Sequence, residues 1–301
     1  MKKITYKIQY FLLILTCKIL LLFPEKKRFA FAEFIANLGY KLIKKRRITT
    51  ITNLRMAFPE KDNDEIEEIA RESYRIMAKG FLCTLWLKEY LSNSKNIKIV
   101  NQEIFDSEYK KGKGLIASLI HMGNMEASLK VAQGKKVVTV AKAQRNPYIN
   151  DFITKSRRED LNLEVLIKSK QTSKELIEKI EKKEIYALFS DHRDKGAEVE
   201  FFGMTTKAPT GAISLALRFD VPLVLGYNYF NKDNTTTIVI EKIDLVKTDN
   251  FKHDVAINTQ NLINKMEEVI RKHPEQWMWF HDRWNLYRQI HKKKIQNRIN
   301  M

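Results

Sequence analysis

Cysteine is scarce in this chain: Cys17 and Cys83 are the only two among 301 residues, and they show no metal-ligand spacing. The expectation for both is a buried, reduced thiol in a reducing compartment. Acidic residues are also few relative to basic ones, 36 against 54, which leaves a formal net charge of +18. Such a surface is drawn to polyanions, namely nucleic acid, anionic lipid headgroups or an acidic partner protein. Alternatively, a lysine-rich composition colours the whole surface. Internal repeats, low-complexity tracts and long linkers are missing as well. At 44% hydrophobic and 30% charged residues the chain is of the folded class, long enough for one large domain or two small ones.

No apolar run reaches the roughly 20 residues that cross a bilayer upright. The longest, Ile8 to Phe23, has 16 residues and contains Lys18. Ala30-Phe31-Ala32 formally offers a signal-peptidase site, but Pro24 and Lys26-Lys27-Arg28 separate it from the apolar run, which argues against cleavage. Lys2, Lys3 and Lys7 precede the run and Lys26, Lys27 and Arg28 follow it, so the asymmetry of a spanning helix is weak. A helix lying on or partly in one leaflet, with Lys18 reaching to the interface, is expected; a buried core helix is the alternative. The basic cluster Lys41, Lys44, Lys45, Arg46 and Arg47 lacks interleaved aromatics and any nucleic-acid module. Beside an apolar helix it reads as a grip on anionic lipid, and no nucleic-acid partner is expected.

Residues Asp62 to Tyr90 carry helical spacing, and the first ~95 residues are predicted helical. After Lys98 short apolar runs alternate with amphipathic stretches. The predicted strands are Gly114–Ile120, Val137–Ala141, Leu163–Ile167, Ile185–Ser190, Val221–Tyr227 and Thr236–Glu241. Helices are predicted at Met125–Val131, Tyr148–Arg158, Ser173–Lys182, Thr210–Arg218 and about Val255–Lys272. This alternation predicts an α/β fold: a mainly parallel central sheet flanked by helices, with an N-terminal membrane-anchoring helix. The expected division is an anchoring region over residues 1–40 and a second domain over 41–301. Active sites in such sheets sit at the carboxyl ends of strands.

The stretch Leu115 to Glu126 ends an apolar strand at His121, turns through Gly123 and starts a helix that Asn124 can cap. On one continuous helix His121 and Glu126 would point about 140° apart. With the turn between them, the Glu126 carboxylate is expected to fold back onto the imidazole, fixing its tautomer and raising the basicity of the other nitrogen. That nitrogen can take a proton from an alcohol attacking a thioester. No serine or cysteine occupies a nucleophile motif, so no covalent intermediate on the protein is expected.

The same stretch resembles the H-x-x-x-x-[D/E] motif of lipid acyltransferases, and specifically the lipid A biosynthesis late acyltransferases. Arg145-Asn146-Pro147 with Asp151-Phe152-Ile153 and Arg157 is similar to the family's second block. Asp191, Gly196, Val199-Glu200-Phe201-Phe202-Gly203 and Pro209-Thr210-Gly211 are similar to its third. Pro274 to Trp279, with His281 and Arg283, resembles its C-terminal signature, and Arg47, Asn53-Leu54 and Phe58-Pro59-Glu60 its early block. The likeness runs in order from about residue 40 to 285. His192 departs from it, standing where glutamine is usual, and no Pro-Glu-Gly-Thr-Arg type block is present.

The resemblance implies a glycerolipid acyltransferase-like fold at the cytoplasmic face of the inner membrane. It implies His121 as general base, Glu126 as its orienting partner, and Arg145, Arg157 and Asp191 as polar residues of the substrate site. The implied reaction moves an acyl group from a thioester on acyl carrier protein to a hydroxyl of a lipid A precursor, with no other cofactor. Coenzyme A as carrier, another envelope lipid as acceptor, and a non-catalytic basic binding protein stay open. For Arg157 and Asp191 the plain alternatives are a solvated helix residue and a cap. Trp277, Trp279 and Trp284 are expected to pack in the core. His281 has no paired ligands at metal spacing, so no metal is expected.

Overall fold

The computed structural model describes residues 2–289; the end of the expected second domain, residues 290–301, lies outside them. Four helices come first: α1 (Lys2–Leu21), α2 (Glu25–Leu42), α3 (Lys44–Ala57) and α4 (Asn63–Cys83). Helix α4 starts on a capping box: the Asp62 side chain accepts from Asp64 and Glu65 main-chain N–H groups, and the Glu65 side chain accepts from the N–H of Asp62. The helix predicted to reach Tyr90 stops at Cys83. The chain turns there, Trp86 seats edge-on against Phe29 at 5.6 Å, and a short α5 (Leu87–Ser92) follows. Packing of a large apolar side chain outweighs local helix propensity at this point.

The remainder forms a seven-stranded sheet. Its strands are β1 (Ile97–Val100), β2 (Leu115–Leu119), β3 (Val137–Ala141), β4 (Leu163–Ile167), β5 (Ile185–Phe189), β8 (Leu223–Phe230) and β9 (Thr236–Ile243). A separate antiparallel hairpin, β6 (Ala197–Phe201) and β7 (Met204–Ala208), lies between β5 and β8 in the chain. The sheet order is β1-β9-β8-β2-β5-β3-β4. Strands β8, β2, β5, β3 and β4 run parallel; β9 is antiparallel to β8, and β1 is parallel to β9. Helices α6 (Gln102–Lys110), α7 (Pro147–Leu161), α8 (Thr172–Glu181), α9 (Gly211–Phe219) and α10 (Phe251–Lys272) complete the fold. The sheet is therefore mainly parallel and flanked by helices, as the alternating pattern predicts.

Parallel strands covered on both faces read as continuous apolar runs, and β2 does so. Its Ile116 joins the core of Val138, Tyr186, Ile213, Met266 and Trp277, while Leu115 and Leu119 join that of Phe105, Val131, Ile185 and Val224. Burying each such aliphatic side chain contributes about 1.5–3 kcal/mol. Strand β1, helix α6 and the β6–β7 hairpin escape the sequence pattern. The hairpin turns on Phe202 and Gly203, both at positive φ, a conformation that only Gly203 advertises.

Candidate active site

Strands β2 and β5 are parallel neighbours with Leu119 opposite Phe189. Two residues further along each lie His121 and Asp191, so sheet register alone brings them to equivalent places at the carboxyl ends of adjacent central strands. The imidazole Nδ1 of His121 lies 2.7 Å from Asp191 Oδ1. The main-chain N–H of His121 donates to Asp191 Oδ2 at 2.9 Å, and the indole Nε1–H of Trp277 donates to the same oxygen at 2.7 Å. Phe189 stacks on the imidazole, with 4.0 Å between ring centroids.

Burial by itself pushes the Asp191 carboxyl up, since its side chain is only 2% exposed. The charge His121 can carry and the three donated hydrogen bonds outweigh that effect and hold Asp191 well below the usual carboxylate range. An ionised carboxylate on Nδ1 keeps the proton there and turns Nε2 into the acceptor. Among the described residues no protein group occupies Nε2, and the side chain stays 23% exposed.

The acid on the imidazole is thus Asp191, and the expectation that Glu126 folds back onto His121 is corrected. Met125–Ala132 is a 3-10 helix, and the Glu126 carboxylate in its first turn pairs with the guanidinium of Arg157 on α7. Asn124 does not cap that helix; its side-chain amide donates to Cys83 Sγ at 3.4 Å. The Asn124 Oδ1 that would cap the helix stays buried without a partner. Burial raises the Cys83 thiol far above its ordinary value, which removes it as a nucleophile.

The other expected residues fall at different distances from this centre. Arg157 is half-buried against Glu126, while Arg158 beside it is exposed. Arg145 is exposed on the loop between β3 and α7 and makes no hydrogen bond or ion pair among the described residues. Its neighbour Asn146 caps α7, accepting from the N–H groups of Tyr148 and Ile149. His192 sets its ring edge-on to His121 at 6.1 Å and leaves Nδ1 buried and unpartnered. Burial lowers its pKa from the ordinary histidine value.

His121, Asp191 and His192 also bring potential metal-ligand atoms within 4.8 Å of one another, a cluster that sequence spacing does not reveal. Both Asp191 oxygens already accept from His121 and Trp277, which suits an oriented base better than a metal ligand.

Two contributors were not read as functional from the sequence. Trp277 packs in the core as expected, at 2% exposure, but also donates to Asp191. Arg283 is fully buried: its Nε donates to the Asp191 carbonyl at 2.6 Å, and its Nη1 to Thr206 Oγ1 and the Lys207 carbonyl. Burial lowers its pKa to about 10. The C-terminal segment also stitches down the turn after β2, through Gly123 N–H to Gln276 O at 3.0 Å and Met278 N–H to His121 O at 3.1 Å. Asn53 on α3 donates to the carbonyls of Trp279 and His281. Blocks far apart in the chain thus converge on one loop.

A mainly parallel α/β sheet carries a histidine–carboxylate pair at the carboxyl ends of its central strands, the end at which enzymes of this architecture hold their active sites. Over residues 1–286 the chain matches the bacterial lipid A biosynthesis acyltransferases, and it belongs to that family. Two curated relatives, each named phosphatidylinositol mannoside acyltransferase and each from a strain of Mycobacterium tuberculosis, are 27% identical over 188 residues. The aligned region covers 60% of this chain and 57% of theirs.

Proposed function

We propose that this protein is a membrane-associated O-acyltransferase using the His121–Asp191 pair as its general base. The observation that carries the reading is the 2.7 Å contact between His121 Nδ1 and Asp191 Oδ1, which leaves Nε2, without a protein partner among the described residues, available as a proton acceptor. His121 Nε2 takes the proton of a lipid hydroxyl as its oxygen attacks the carbonyl carbon of an acyl thioester. The new C–O bond forms, the C–S bond breaks, and the departing thiolate recovers the proton from His121. Asp191 stays ionised and steadies the imidazolium. Arg157, paired with Glu126 five residues beyond His121, supplies positive charge for an acceptor phosphate or the developing oxyanion.

The donor we infer is acyl carrier protein, an acidic protein suited to a surface of net charge +18. The acceptor we infer is a phosphorylated, anionic glycolipid, with a lipid A precursor first, at the cytoplasmic face of the inner membrane. The names of the mycobacterial relatives favour a second reading, a mannosylated phosphoinositide, which shares the phosphate and the free hydroxyls.

Mass spectrometry of envelope lipids tests both readings, using cells that lack the protein and are complemented with wild type or His121→Ala. Loss of one acyl chain from lipid A, restored by wild type alone, is the expected result. A change confined to another glycolipid moves the acceptor there. Full restoration by His121→Ala would overturn the mechanism.

A further inference from the structure

Helix α1 is long and apolar enough to cross a membrane. Its attachments argue for a different placement. Near its amino end the Asn146 side-chain amide donates to the Tyr6 carbonyl at 2.8 Å and to Gln9 Oε1 at 3.1 Å. The Tyr10 ring lies 6.2 Å from both Tyr148 and Phe152 of α7. At the other end the buried Arg28 donates to the carbonyls of Leu20 and Leu21 at the helix terminus and of Phe23 just beyond it. Arg28 also pairs with Glu89 of α5 at 2.9 Å and sits over the Trp86 ring at 5.6 Å. Between these two attachments a stripe at helical spacing (Tyr6, Tyr10, Leu13, Cys17 and Leu20) is buried or half-buried. The helix therefore lies along the body over its length.

The clamps are roughly 21 Å apart along the helix, from its rise per residue. If α1 crossed the bilayer, Asn146 and the exposed Lys142 and Arg145 near it would be carried that far past Glu89, into or through hydrocarbon. The outward face of α1 is apolar, with Ile4, Ile8, Phe11, Leu15 and Ile19 all exposed. Helix α2 repeats this arrangement. It buries Phe29, Ala32, Ala36 and Tyr40 while exposing Phe31, Phe34, Ile35, Leu38 and Leu42. Leu22 and Phe23, exposed at the corner, link the two faces. Residues 1–50 hold twelve lysines and arginines against two acids, Glu25 and Glu33, so the chemistry complementary to this surface is an anionic bilayer leaflet.

We propose that α1 and α2 lie together in one leaflet as an in-plane platform on an anionic bilayer, with neither helix crossing it. The proposal rests on the membrane-lipid reading above but is tested without any activity measurement. Lys3→Cys and, in a second protein, Lys232→Cys on the exposed β8–β9 turn are labelled with an impermeant maleimide in intact spheroplasts and in inverted vesicles. Both thiols should react in inverted vesicles and neither in spheroplasts; opposite sidedness would overturn the proposal. A second measurement follows binding of the full chain to vesicles of equal parts phosphatidylglycerol and phosphatidylcholine. Phe34→Ser/Leu38→Ser, with an unchanged circular-dichroism spectrum, should bind about tenfold more weakly or worse. Unchanged binding would remove α2 from the platform. A family member without acyl transfer could still show this topology, and an active enzyme could lack it, so the two readings fail separately.

Discussion

His121 and Asp191 occupy equivalent places on adjacent parallel strands, each two residues beyond the paired Leu119 and Phe189, and their side chains meet at 2.7 Å. Sheet register therefore aligns the histidine and its carboxylate, and the donors from His121 N–H and Trp277 fix the carboxylate in turn.

Asp191→Asn removes the charge that holds Nδ1–H while keeping the shape. Acyl transfer should fall about a hundredfold or more in kcat, with a much smaller change in donor KM. Adding His121→Ala should cost little beyond the worse single change, because the two act as a unit. Steady-state kinetics of the three proteins decide this, and near-multiplicative losses would dissolve the pair.

Glu126 and Arg157 should behave as a second coupled pair. Glu126→Gln and Arg157→Gln are each expected to lower kcat/KM, with the double variant no worse than the weaker single. Arg157→Lys should not restore activity, since lysine lacks the fork that meets a carboxylate or phosphate. A fully active Glu126→Gln enzyme would assign the pair to structure alone.

Gly123 sits at φ +57°, where a Cβ would lie 2.5 Å from the carbonyl oxygen of Asn228. Gly123→Ala should destabilise the fold by about 2–4 kcal/mol, from the left-handed backbone and the clash together. A Cβ on Gly80 of α4 would meet the Gly123 carbonyl oxygen at 2.5 Å, so Gly80→Ala should disturb the same loop. Urea midpoints measure both, and wild-type stability in either would show that the loop yields freely.

Stability should decline as pH falls from about 6.5, the ordinary histidine value. His192, His273 and His281 all have lowered pKa values, with burial as the first cause. In that window the unfolded chain binds more protons than the folded one. Their contribution is therefore whole above the unfolded value and is lost as pH falls through the lower folded values. Asp191, depressed below the carboxylate range, keeps its contribution until much lower pH. Melting temperatures at pH 8 and pH 5.5 should differ less in His192→Gln than in wild type; an equal drop would acquit His192.

Local information carried far along this chain. The strands β3 and β4 match their predicted bounds, Val137–Ala141 and Leu163–Ile167, because each is a short, mostly apolar β-branched-rich run flanked by polar stretches, even though Thr139 and Glu164 interrupt them. His121 was legible at the end of such a run, and the predicted helix Tyr148–Arg158 falls within α7, which Asn146 caps one residue earlier than its predicted start requires. Short elements at the margins were not legible: β1 has four residues, and Phe202 adopts a positive φ that its side chain does not announce.

Which carboxylate serves His121 was beyond local reading. Glu126 is five residues away and Asp191 seventy, yet the register of β2 against β5 brings the distant one to the ring, while Arg157 from α7 draws the near one away. The sequence by itself determined the strand that ends in histidine, the alternating α/β order, the basic apolar amino end and the family likeness, since each is written in neighbouring residues. Only the tertiary structure decided the acid partner, the hold of Trp277 and Arg283 on it, and the clamping of α1 at both ends. Those contacts join residues that strand pairing and helix packing, rather than chain proximity, set side by side.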